Sequence, residues 1–110
     1  MRLSDLTYLM FMLNSLIDRG AHAGISMEVV KEHIADGDVF SWLTDRFPAD
    51  GLDLSHYRPE VAKEINEKLN DILGGYDGSE RRKWGVENNG ICLLLAWIAE
   101  LIQQRAWADQ

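Results

Sequence analysis

The chain has 110 residues, is 46% hydrophobic, carries a formal net charge of −7 and contains one cysteine. That apolar content excludes a disordered chain and suffices for one compact core, so a single domain spanning 1–110 is expected. The lone Cys92 excludes an internal disulfide and a multi-cysteine zinc site, and the acidic balance argues against nucleic acid, whose phosphates must be met by Lys and Arg.

In chain order, Leu6, Met10, Leu13 and Ile17 recur at helical spacing, with Leu9 and Leu16 widening the stripe. Ser4 is placed to cap this first helix and Gly20 to end it. The segment LTYLMFML after Arg2, followed by Ala21-His22-Ala23, has the outline of a secretory signal. Asp5 ahead of the apolar run, the polar Asn14, Ser15, Asp18 and Arg19, and the helical periodicity favour a folded helix instead. Tyr8, Phe11 and Met12 make its remaining surface apolar, enough to be buried on a second side or offered to another chain.

Ser26 is placed to cap a second helix that turns Met27, Val30 and Ile34 inward, and Gly37 to stop it. Asp38 is then expected to cap a short third helix, Val39 to Phe47, with Val39, Leu43 and Phe47 in the core and Phe40 and Trp42 beside them. Pro48 to Tyr57 reads as a turn-rich connector. Pro59 suits the first position of a fourth helix with the stripe Val61, Ile65, Leu69 and Ile72. Gly74-Gly75 should end that helix in the left-handed conformation. The glycine-rich GGYDGSERRKWGVENNG at 74–90 follows, and Asn88 or Asn89 should cap a last helix whose Ile91–Ala99 segment is apolar all round. That profile places its first turns at the bundle centre and Cys92 among buried residues. No segment shows sustained period-two alternation. The expectation is an all-α bundle of four to five helices, and no apolar run reaches the roughly 20 residues that span a bilayer.

No local pattern carries catalysis or a cofactor. The 74–90 stretch lacks GxxxxGK followed by Ser or Thr, so a phosphate-cradling loop is not expected there. It reads as a tethering connector whose Arg81, Arg82 and Trp84 are candidate partner contacts, Arg and Trp being frequent in binding hot spots. His22, His33 and His56 lie far apart and match no zinc spacing. From Asp36, an EF-hand would need an oxygen ligand at Phe40 and a glycine at Ser41, so calcium is not expected either. A helix-turn-helix drawn around Gly37 would put Asp38 and Asp45 against DNA, which repels them.

Charge placement is the feature that points to a role. Residues 28–53 hold Glu28, Glu32, Asp36, Asp38, Asp45, Asp50 and Asp53 against Lys31 and Arg46, a local −5. Such a surface can steer a cationic protein into contact. The reading that follows is a small acidic inhibitor of a basic partner such as a nuclease toxin, cytoplasmic and not an enzyme, with Asp36, Asp38, Asp45, Asp50 and Asp53 as the surface and Trp42 as an aromatic anchor. Toxin-immunity proteins are similar in size and charge, an analogy without a shared motif, and a phage-encoded inhibitor of a host defence enzyme gives the same residue picture. The alternative is a self-associating accessory protein, a homodimer covering the surplus apolar surface of Phe11, Met12, Leu93, Trp97 and Trp107.

Overall fold

The computed structural model describes residues 2–48, 58–76 and 89–108, with side chains as far as Arg105. The described residues form five helices and no strand, an all-α bundle: α1 Leu3–Asp18, α2 Met27–Asp36, α3 Val39–Arg46, α4 Pro59–Gly74 and α5 Gly90–Ala108. None of these helices is long and apolar enough to cross a membrane. The helix α5 is the hub, with α1, α2 and α4 packed on it and α3 held by α2 and α4. Its first turns lie in the interior as the all-round apolar sequence requires: Ile91, Leu93, Leu94, Trp97 and Ile98 are buried. Trp97 is fully enclosed, with Tyr76 edge-on at 5.4 Å between ring centroids. Cys92 is only half-buried, because its position turns it toward the rim of α5.

The core stripe of α1 runs through Leu6, Leu9, Leu13 and Leu16, while Met10 and Ile17 sit at its edge. Ser4 does not cap this helix. The helix begins two residues earlier than that cap would set, with Arg2 at the cap position, and its open end is closed by Asp5, whose Oδ2 accepts the Arg2 N–H at 3.0 Å. An acid in the first turn can do this because it also meets the positive end of the helix dipole.

Glycine ends two helices in the same manner. Gly20 has φ +74, and the amides of Gly20 and Ala21 return to the carbonyls of Ile17 and Leu16 at 3.0 and 2.9 Å. Gly37 has φ +81, and its amide and that of Asp38 return to Ile34 and His33, both at 3.1 Å. Each is a Schellman closure, for which glycine lacks the Cβ that would clash. The glycine pair after α4 works differently. Gly74 is the last helical residue and Gly75 has φ −104, so the expected left-handed stop is absent there.

Ser26 caps α2 by accepting the Val29 N–H at 3.2 Å. Asn89 caps α5 more extensively: Oδ1 accepts the amides of Ile91 and Cys92 at 2.9 and 3.2 Å, and Nδ2 donates to the His22 carbonyl at 2.9 Å. Gly90 donates its own N–H to the Ile25 carbonyl at 2.8 Å. These bonds fasten the start of α5 to the turn ahead of α2. The approach is close enough that a Cβ on Gly90 would overlap the Ser26 carbonyl oxygen and the Val30 Cγ2.

Candidate functional site: the α2–α3 acidic cleft

The site grows from the turn at Gly37. Its Schellman geometry folds residue 38 back over residue 33, so the His33 carbonyl accepts the Asp38 amide. The His33 side chain then reaches the same residue, Nδ1–H donating to Asp38 Oδ1 at 2.9 Å. A carboxylate can only accept, which fixes the proton on Nδ1. With its carboxylate so engaged, Asp38 makes no side-chain cap for α3, contrary to the sequence expectation. The orphaned Val39 amide is met from α4 instead, by Asn66 Oδ1 at 3.3 Å. Asn66 also donates Nδ2–H to the Ile34 carbonyl at 3.0 Å. One amide, only 6% exposed, thereby joins the end of α2 to the start of α3.

On α3, positions 38, 42 and 45 follow i, i+4 and i+7, which gathers Asp38, Trp42 and Asp45 on one face. Trp42 lies flat against His33, ring centroids 4.7 Å apart and planes 13° from parallel. Phe47 meets the indole edge-on at 6.4 Å, and the Arg46 guanidinium lies 5.2 Å from the Phe47 ring centroid. Together His33, Asp38, Ser41, Trp42, Asp45 and Arg46 line an open cleft of about 370 Å³. A second hollow of about 240 Å³, reaching Pro59, Ala62 and Lys63 on α4, shares Asp38 and Ser41 as its border.

The acids of α2 form a separate row. Glu28, Glu32 and Asp36 recur every four residues on the exposed side of that helix. Lys31 meets Glu28 at 3.5 Å and also stands 4.4 Å over the Tyr76 ring, so one end of the row is partly balanced. Of the residues singled out in the sequence, Asp38, Trp42 and Asp45 therefore share one cleft, and Asp36 belongs to the adjoining row. Asp50, Asp53, Arg81, Arg82 and Trp84 lie outside the described residues.

His33 and Asn66 are the site residues that sequence reading missed. The signal for His33 was present, since a left-handed Gly37 returns the next amide to the carbonyl of residue 33. Asn66 gave no local signal, because its partners are 27 and 32 positions away.

Chemically, the cleft offers two carboxylates and a tryptophan beside a histidine. Carboxylates accept charge-assisted hydrogen bonds from guanidinium and ammonium groups, and an indole adds an apolar wall that such a side chain's stem can cover. Ser41 lines the same cleft, but no hydrogen bond joins it to His33, so the three side chains do not form a nucleophile–base relay. Among the described residues, no group of three or more His, Cys, Asp and Glu side chains could hold a metal ion. Comparison of the chain with protein-family models, with curated proteins and with solved structures gives no match.

Proposed function

We propose that this chain is a protein-binding inhibitor of the immunity or antitoxin kind, which occludes a cationic surface of a basic partner through α2 and α3. The observation that carries the reading is the convergence of Asp38, Trp42 and Asp45 on one open cleft beside the exposed row Glu28, Glu32 and Asp36. Carboxylates at the rim draw a cationic protein in and set the encounter rate, while a half-buried aromatic flanked by them supplies contact area once it arrives. The described part of this region, residues 27–48, holds five acids against Lys31 and Arg46, so a field of one sign survives the internal pairs. A cytoplasmic setting goes with this reading, since a chain with one cysteine forms no internal disulfide, which suits a reducing compartment.

The test uses an arginine-rich peptide as the probe of a basic partner, titrated at about 0.02 M and about 0.5 M salt, where the screening length falls several-fold. Binding is expected at low salt and should be largely lost at high salt. Trp42→Ala, and separately the double variant Asp38→Asn with Asp45→Asn, should weaken it about tenfold. Neutralising Glu60, Glu67 and Asp71 on α4 removes similar charge elsewhere and should leave most of the affinity. Binding that ignores salt, or that responds equally to the α4 variant, removes the cleft from the explanation.

A further inference from the structure

The face of α1 that points away from α5 is unlike the other described surfaces. Between Asp5 and Asp18 this helix carries no acidic or basic side chain. Leu3, Tyr8 and Phe11 are exposed on that face, Phe11 to 68%, among the small polar residues Ser4, Thr7, Asn14 and Ser15. The sequence also expected surplus apolar surface on the last helix, but Leu93 and Trp97 are fully buried there, and the Trp107 side chain lies outside the described residues. What α5 spends on the core, α1 leaves outside.

We propose that the outer face of α1 is the contact through which two copies of this chain associate, antiparallel about a two-fold axis at Phe11. Charge selects the occupant. Each copy carries −7, so two copies repel wherever their acidic surfaces meet. The exposed sides of α2, α3 and α4 bear Glu28, Glu32, Asp36, Asp45, Glu60, Glu67 and Asp71, whereas the outer face of α1 is neutral along its middle. A basic partner would gain little from the neutral middle of that face, while a second acidic copy meets less repulsion there than at the acidic sides of α2, α3 and α4. The spacing is also self-complementary. With Phe11 on the axis, helical positions place Thr7 against the partner's Ser15 and Ser4 against the partner's Asp18. The positive N-terminal turn of each α1 then lies beside the acid and the negative C-terminal end of the other, a favourable pairing of dipoles. An isologous contact of this kind closes on itself and stops at two copies. It also leaves the α3 cleft open, because α1 packs on α5 whereas α3 packs on α2 and α4.

Sedimentation velocity of the full chain tests the proposal. The dimer should be evident at about 100 µM protein, the range in which small interfaces are populated. Phe11→Asp should give a monomer with unchanged helical circular dichroism, since the substituted side chain faces solvent in the single chain. In a Cys92→Ser background, Phe11→Cys should oxidise to a covalent dimer, because the axis brings the two side chains together. Glu28→Cys in the same background should not. A monomeric parent chain at that concentration overturns the proposal, as does a dimer that persists in Phe11→Asp or fails to cross-link preferentially at position 11.

Discussion

Gly90 shows how much a missing methyl group can decide. It closes the glycine-rich stretch 74–90, where five glycines suggest slack, yet its backbone sits against Ser26 and Val30 at the crossing of two helix starts. Helix propensity alone would favour alanine there by up to about 1 kcal/mol. Overlap with a backbone carbonyl and a buried valine outweighs that gain. We expect Gly90→Ala to lower the unfolding free energy by about 3 kcal/mol in urea titration. Gly74, whose added Cβ would meet nothing within 4 Å, is the control, and Gly74→Ala should be neutral or stabilising. Equal effects at the two positions would mean that α2 and α5 do not approach as closely as described. Sequence could not rank these glycines, because the difference lies in what is packed against each one.

At the scale of elements, the helices were legible where one residue type at one position solves a local problem. Gly20 and Gly37 as left-handed stops, Ser26 as a cap and Pro59 at a first turn all follow from backbone chemistry within a few residues. Reading failed where a distant helix supplied the solution. Asp38 has the right identity and position for an N-cap, but the Schellman turn gives its carboxylate to His33 and α4 brings Asn66 to the vacant role. The cleft inherits this arrangement. Its three sequence-legible members, Asp38, Trp42 and Asp45, share a face by helical spacing alone, whereas the angle between α2 and α3 depends on a buried amide from elsewhere. Asn66→Ala would leave the Val39 amide unmet in the interior and take from the Ile34 carbonyl one of its two donors, Gly37 N–H remaining, and should cost about 2–3 kcal/mol. It should also loosen the stacking of Trp42 on His33, seen as a change in near-ultraviolet circular dichroism. A variant with full stability and an unaltered aromatic signal would show that the junction does not need this clamp.

Over the whole molecule, the arrangement of charge separates two kinds of association. The neutral face belongs to α1, which packs on α5, whereas the cleft belongs to α3, which packs on α2 and α4, so a basic partner and a second copy need not compete. Salt should move the two in opposite directions. Screening weakens attraction between the cleft and a cation, and it relieves repulsion between two copies of net charge −7. The overall charge was plain in the composition, and its concentration after residue 27 was plain in the sequence. That α1, alone among the described helices, would show an outer side neutral along its middle needed the fold, since its apolar stripe could have been buried on both flanks.

The bond from Asn66 to the Val39 amide has a further consequence for how the bundle opens. An amide in the first turn of a short helix ordinarily trades its proton with solvent almost at once, fraying being cheap. Here that proton is held from a helix 27 residues downstream, so its release tracks detachment of α4 rather than unwinding of α3. In deuterium exchange, Val39 should be slowed together with the α4 interior and should lose protection in step with it.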